Sequence, residues 1–375
     1  MFSLDISSAH PLTAYGWDEE FADSFATHAG QDLLPGRIVR VHRGRVDAVV
    51  PDGDDVRTVS ADTALVATGD PMRVPCTGDW AVIDLENGAT DAADGVVRSL
   101  LPRRTAIVRS SSSKRSEAQI LAANVNHAVI AVSLAAELDL GRIERFLSLA
   151  WESGAEPLVV LTKADLVDNP AVLSYLLSEA EAAAPGVQVL AVSSETGDGI
   201  EVLSAILADS TSVLLGQSGA GKSTLANALL GESVQDVQAT RDQDGKGRHT
   251  TTTRDLLRLP WGGVLIDTPG LRGVGIWDAE SGLAQTFSDI ESLAGECRFL
   301  DCAHLSEPGC AVLEAIERGA LPERRLESYR KLMRENQWML AKTDARLHSE
   351  MRKDWKQMRA THHHMLERKR GGPQR

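Results

Sequence analysis

The sequence predicts a multidomain chain: a small N-terminal β-barrel, a central α/β domain built on a phosphate-binding loop, and a helical C-terminal region around a cluster of cysteines. Three observations carry this reading. Short Val- and Ile-rich runs punctuated by Gly, Pro and Asp begin near Gly36. After Lys114, apolar runs alternate with helical ones, and one run leads into a glycine-rich loop at Gly216. Three cysteines and a histidine crowd between Cys297 and Cys310.

The elements follow in order. The first thirty or so residues read as a mixed polar extension with one short helix over Trp17 to Ala26. Gly36 to Val50 alternates apolar residues and breaks at Gly44, and Pro51-Asp52-Gly53 is a turn. Val56 to Val59, Ala64 to Ala67 and Trp80 to Leu85 are further expected strands. About five strands ending near Val108 suit a small barrel, of which an OB-fold is one solution. The α/β part then reads as strands at Ala128 to Val132, Pro157 to Leu161, Gln188 to Val192, Ser212 to Leu215 and Val264 to Ile266. Helices at Leu140 to Ser153, Ala171 to Ala184 and Ile200 to Leu207 lie between them, as in a parallel sheet with covered faces. From about Ala279 the pattern is helical, with a long basic segment from Pro322 to Arg370.

The 375 residues bound the chain to two or three domains. With 43% hydrophobic and 25% charged residues, the composition is that of a globular protein. No apolar run is long enough to span a bilayer. The N-terminus, MFSLDISSAH, lacks the basic start and apolar stretch of a signal peptide. The expected compartment is the cytoplasm, with no membrane partner. The net charge is −14, yet Arg324 to Arg375 holds 15 Lys and Arg against 6 Asp and Glu. An acidic chain with a basic tail suggests an anionic partner for the tail, although a solvated helix has the same composition.

The chemistry centres on Gly216-Gln217-Ser218-Gly219-Ala220-Gly221-Lys222-Ser223, followed by Thr224. It fits G-x-x-x-x-G-K-[ST], preceded by a strand and followed by a helix. Glycines let backbone N–H groups face phosphates, and the helix N-terminus adds partial positive charge. Lys222 would reach the β- and γ-phosphates and Ser223 would hold Mg²⁺. Downstream, Asp267-Thr268-Pro269-Gly270 follows a strand. Asp267 can hold Mg²⁺ through water, and Gly270 can offer its N–H to a γ-phosphate. Between these lies Gly247-Arg248-His249-Thr250-Thr251-Thr252-Thr253-Arg254, where Thr251 and Thr252 suit a switch loop, Thr252 completing the Mg²⁺ shell.

Guanine selection normally needs N-K-x-D after those motifs. Here the match, Thr162-Lys163-Ala164-Asp165, comes before them. Asp165 would accept from guanine N1–H and its exocyclic amine, which adenine does not offer. Lys163 would pack its stem along the base. Ser193-Ser194, after the next strand, fits the loop that supports the base. The order is therefore base motif, supporting loop, P-loop, switch and D-x-x-G, a circular permutation of the usual GTPase order.

Cys297, Cys302, His304 and Cys310 are three thiols and an imidazole suited to tetrahedral zinc, with no open position and so a structural role. Cys76 stands apart and reads as a core thiol.

On these motifs, on Gly247 to Thr252 and on the segment Cys297 to Cys310, the chain resembles the RsgA (YjeQ) family of circularly permuted GTPases. Leu101 to Val125 and Leu147 to Leu166 fit as well. The resemblance implies an N-terminal extension over 1–34, an OB-fold over 35–112, a permuted GTPase domain over 113–290 and a zinc domain with basic helices over 291–375. It implies GTP hydrolysis stimulated by the 30S subunit during its late maturation, contact with 16S rRNA, and bound Mg²⁺ and one zinc. Arg103, Arg104, Arg109, Lys114 and Arg115 form a basic run suited to RNA. Position 271, where many GTPases keep a water-orienting Gln, is Leu271. The resemblance therefore makes His249 the catalytic candidate, to position or polarise the attacking water, the alternative being that it only contacts RNA. Thr162 in place of Asn, the N-terminal extension and the longer basic tail depart from the family pattern. His362-His363-His364 reads as part of an exposed basic helix. The alternative reading is a nucleotide-gated RNA-binding switch in which hydrolysis only resets the state. A monomer is assumed.

Overall fold

Alternation of apolar and polar residues closes the first strands on themselves. The computed structural model describes residues 10–28, 32–85, 93–110, 118–231, 254–268 and 279–343. Five strands, β1 (Leu33–His42), β2 (Arg45–Asp52), β3 (Asp55–Asp62), β4 (Trp80–Asp84) and β5 (Gly95–Leu100), form a closed barrel in the order β1-β2-β3-β5-β4. β3 and β5 run parallel, and the other neighbours are antiparallel. This is a five-stranded barrel of the OB kind. Gly44 at φ 77° and Gly53 at φ 65° supply the positive φ that its two tight hairpins need. Ile38, Val46, Ala48, Val50, Val59, Ala61, Ala81, Ile83 and Val97 fill its interior.

Three strand expectations are corrected. Ala64 to Ala67 is not a strand: Ala64–Val66 is a 3-10 turn. Asp62 Oδ1 accepts the Ala64 N–H at 2.7 Å and Thr63 O accepts that of Val66 at 3.1 Å, so local bonds take the place of a ladder. The fifth barrel strand is β5, which the sequence reading passed over. The run near Val108 instead forms β6 (Ala106–Ser110), paired with β7 (Ala118–Ala123) outside the barrel.

The N-terminal helix begins later than expected, as α1 (Glu19–Ala26), because Asp18 caps it by accepting the Phe21 N–H at 3.1 Å. Trp17 and Phe21 pack on the fully buried Trp80, with ring centroids 4.8 and 5.5 Å away. The segment therefore covers the barrel flank.

The α/β reading holds element by element. The second sheet contains β8 (His127–Ser133), β9 (Glu156–Thr162), β10 (Gln188–Val192), β11 (Thr211–Gly216), β12 (Leu256–Arg258) and β13 (Val264–Ile266). Its order is β10-β9-β8-β11-β13-β12, parallel except for the short edge strand β12, which was not anticipated. Helices α2 (Leu140–Glu152), α3 (Pro170–Ala183), α4 (Ile200–Leu207) and α5 (Lys222–Leu230) cover its faces. The register aligns Ser133, Thr162 and Val192 along one sheet edge, and Gly216 lies opposite Ala131. The carboxyl ends of these strands thus face one crevice, the usual place for a ligand in such sheets.

Helices Glu280–Thr286, Ser288–Ala294, Ala311–Glu317 and Glu323–Thr343 form the C-terminal region. Arg325, 1% exposed, locks it to α2. Its guanidinium donates to Glu144 Oε1 at 2.9 Å, Asp289 Oδ1 at 2.9 Å and Thr286 O at 2.8 Å. It lies 4.8 Å from the Phe287 ring centre. Arg325→Ala leaves the fully buried Glu144 carboxylate to Arg324, which donates to Oε1 at 2.9 Å, and opens the bonds to Asp289 and Thr286; it is expected to cost about 3 kcal/mol. A urea melt of the variant should show the earlier transition, whereas Arg318→Ala, at an exposed pair, should leave the melt in place.

Candidate functional site

The loop from Gly216 to Gly221 turns on three positive φ angles: 144° at Gly216, 84° at Gly219 and 79° at Gly221. A Cβ at Gly216 would stand 2.5 Å from Ala131 O, so β8 itself demands the glycine. Gln217, Ser218 and Gly219 are exposed at the crest, as are Ser223 and Thr224 at the start of α5. Lys222 is buried and donates to Gly216 O at 2.9 Å and Gln217 O at 2.8 Å. Burial pulls its pKa below the ordinary lysine value, and Asp267 works in the opposite direction.

The predicted base motif lies against this loop. Thr162 Oγ1 donates to Ala220 O at 2.7 Å and approaches Val132 O at 3.3 Å. Its hydroxyl thus ties the end of β9 to the loop from a buried position. Lys163 adopts φ 61°, uncommon for a residue with a side chain, and its Nζ donates to Gly219 O at 3.1 Å. Asp165 is exposed, and its Oδ1 accepts the Ser193 hydroxyl at 2.6 Å. Ser193 Oγ accepts in turn from the N–H groups of Glu195 and Thr196 at 3.2 and 3.1 Å. Every hydrogen-bonding position of that hydroxyl is used, which aims the Asp165 carboxylate. Ser194 follows, half-buried.

Asp267 stands at the end of β13, and Thr268 Oγ1 donates to Leu214 O, joining β13 to β11. His249, Thr251, Thr252, Gly270 and Leu271 lie outside the described residues, as do Lys114, Arg115 and His362 to His364. Sequence reasoning missed Arg142, whose guanidinium donates to the Gln217 side-chain carbonyl. No spacing rule points to it; only the register, which brings the N-terminus of α2 beside the loop, would have.

The cysteine cluster closes as expected. The ligand atoms of Cys297, Cys302, His304 and Cys310 all lie within 4.8 Å of one another. Cys297 Sγ is 3.9 Å from Cys310 Sγ and 3.6 Å from His304 Nδ1, which is 3.3 Å from Cys310 Sγ. Tetrahedral zinc with Zn–S of ~2.3 Å sets sulfur–sulfur edges of roughly 3.8 Å. The donor set and spacing fit zinc and leave no position for substrate. Backbone N–H groups of Ser306, Leu305 and Ala303 bond the Glu307 carboxylate and hold its pKa well below the ordinary range, bracing the loop that carries His304. Cys76 is a different case: burial pushes its thiol up to about 12, which leaves it inert.

Known proteins share these features. A family model described as RsgA GTPase matches residues 100–277. A second, described as 50S ribosome-binding GTPase, matches residues 211–358, the stretch in which P-loop and D-x-x-G stand in their usual order. A "Small ribosomal subunit biogenesis GTPase RsgA" of Streptomyces coelicolor is 65% identical over 99% of this chain and 100% of its own. The protein of that name from Streptomyces avermitilis is 64% identical over 97% and 96%. The crystal structure of YjeQ from Thermotoga maritima aligns with a TM-score of 0.58 at 27% identity, covering 81% of this chain and 98% of that one. YloQ, described as a circularly permuted GTPase, aligns with a TM-score of 0.59 at 25% identity, covering 82% and 96%. With its base motif ahead of its P-loop and such identity along nearly its whole length, the chain belongs to the RsgA GTPase family.

Proposed function

We propose that the chain hydrolyses GTP to GDP and phosphate during maturation of the small ribosomal subunit, stimulated by the 30S particle and touching its 16S rRNA. One observation carries the nucleotide part: Thr162 and Lys163 clasp the carbonyls of Ala220 and Gly219, so base motif and P-loop share one crevice. Asp165 selects guanine, with Ser193 and Ser194 supporting the base. Backbone N–H groups from Gly216 to Thr224 cradle the phosphates, and Lys222 neutralises them. Ser223, Thr252 and Asp267 would hold Mg²⁺, which supplies charge neutralisation at the β- and γ-phosphates when bound. Thr251 and Gly270 complete the switch contacts, and His249 positions the attacking water. Cys297, Cys302, His304 and Cys310 hold a structural zinc. The division into 1–34, 35–112, 113–290 and 291–375 gives RNA contact to the barrel and the basic tail. Among the described residues no helix is long and apolar enough to cross a membrane. The cytoplasm, where subunits mature, is the proposed site of action, with the protein a monomer.

GTP turnover measured with and without 30S subunits, with ATP as control, tests this reading. Strong stimulation specific to GTP is expected. Turnover indifferent to 30S would remove the subunit-stimulated step, and equal use of ATP would remove the base assignment. Normal 30S-stimulated turnover by His249→Ala would remove the role of that side chain.

A further inference from the structure

We propose that Arg40, on the barrel, is a positioning residue for GTP hydrolysis: it grips Asp255, the residue bonded to Asp267, and so sets where Asp267 stands beside the nucleotide. The proposal rests on the GTPase reading above and adds to it a residue outside every nucleotide motif.

The geometry is continuous from barrel to site. β12 and β13 pair through Leu256 and Ile266, and one step further along the ladder Asp255 O accepts the Asp267 N–H at 3.1 Å. The Asp255 carboxylate takes both arms of Arg40, Nε at 2.6 Å and Nη2 at 2.9 Å. Such a fork fixes direction as well as distance. The neighbouring carbonyl, Arg254 O, accepts the hydroxyl of the buried barrel residue Thr77 at 2.9 Å. Two consecutive residues beside the switch are thus held from the barrel.

Two features separate this from ordinary glue between domains. β12 is three residues long and, among the described residues, lies at the sheet edge beside β13. An element so short has little stability of its own, and side-chain ties decide its position. In addition, the ladder of β1 slips register between Ile38 and Arg40. A bulge there re-aims the side chain that follows, as bulges near active sites do. A further barrel anchor, Arg37, donates to Asn124 O at 3.2 Å and Thr211 Oγ1 at 3.1 Å, at the opposite end of the strands from Asp267. Arg37 joins the bodies, whereas Arg40 reaches the edge where Lys222 and Asp267 lie. A barrel seated on RNA would therefore bear on Asp267 through the Arg40–Asp255 pair, with Thr77 holding the adjacent carbonyl.

The test uses the full-length protein, its Arg40→Ala and Arg40→Lys variants, and the exchange Arg40→Asp with Asp255→Arg. The readouts are the Mg²⁺ concentration for half-maximal 30S-stimulated GTP turnover, kcat and KM for GTP, and GDP binding without Mg²⁺. Arg40→Ala should raise the Mg²⁺ requirement about tenfold and lower kcat, in the range seen when outer-shell partners of metal ligands are lost. GDP binding without Mg²⁺ should stay unchanged. Lysine, which cannot hold both oxygens, should restore part of the loss, and the charge exchange most of it. An unchanged Mg²⁺ requirement in Arg40→Ala, with or without lower thermal stability, overturns the proposal. Absence of Mg²⁺-dependent GTP turnover in the wild type would instead overturn the GTPase reading on which it rests.

Discussion

Lys222→Ala is expected to lower GTP turnover by about 10²–10³-fold, the usual cost of losing one preorganised charge at a transferring group. The ammonium is already in place: it lies buried beneath the loop, held by Gly216 O and Gln217 O at 2.9 and 2.8 Å. A phosphate arriving at the loop meets a cation whose desolvation was met during folding, so little reorganisation remains for the reaction itself. Burial disfavours the charge and lowers the pKa, against the pull of Asp267. Alanine removes the cation and also leaves the carbonyls unpaired. The fold should survive, because α5 is held by Leu225, Leu229 and Leu230 on its other face. Single-turnover hydrolysis together with GTP affinity checks this. Turnover within twofold of wild type would mean that phosphate does not bind at this loop.

The local parts of the site were legible because their chemistry is sequential. A strand, a glycine-rich loop, a lysine and a helix stand next to one another in the chain and in space, and the cysteine cluster is similarly compact. The base motif was legible through context: Asp165 and Ser193 each follow an apolar strand, and adjacent parallel strands bring their ends together. What the sequence did not reveal rests on long separations. Thr162 looked like a weak substitute for Asn, yet its hydroxyl holds a P-loop carbonyl 58 residues away. Arg40 and Asp255 are 215 residues apart, and neither belongs to a motif. Errors in the barrel have a different origin. Ala64 to Ala67 has the apolar composition of a strand, but Asp62 and Thr63 close a turn on it by short-range bonds, and Leu65 is left exposed. β5 carries a polar second half, Arg98 and Ser99, and its strand character comes from pairing with β4 and β3.

Cys310→Ser is expected to abolish zinc binding and to unravel the segment around residues 297–310, with the central sheet left intact. Cys310 serves three functions at once. Its sulfur faces Cys297 Sγ and His304 Nδ1, it caps helix Ala311–Glu317 by accepting the Leu313 N–H at 3.5 Å, and it packs in the C-terminal core. Serine can keep the cap but not the metal, because its hydroxyl does not ionise at neutral pH as a zinc-bound thiol does. The metal matters here because it draws four side chains from along the loop to one point, which the hydrogen bonds around Glu307 brace only locally. The helix it leads into has seven residues, far below the ~12–15 that hold alone, and so depends on the packing of Val312 and Ala315 in the C-terminal core. Structural zinc supplies about 10–16 kcal/mol to small folds of this type, more than the local hydrogen bonds could replace. The Arg325 clamp is on the far side, against α2, so Glu323–Thr343 should remain docked and confine the damage. Zinc per chain and limited proteolysis measure the two halves of the prediction, with Cys76→Ser as the control that keeps its metal. Nucleotide binding should persist in Cys310→Ser, since the lesion spares the crevice. Wild-type zinc content in that variant would mean that the four side chains, though correctly spaced, are not the ligands.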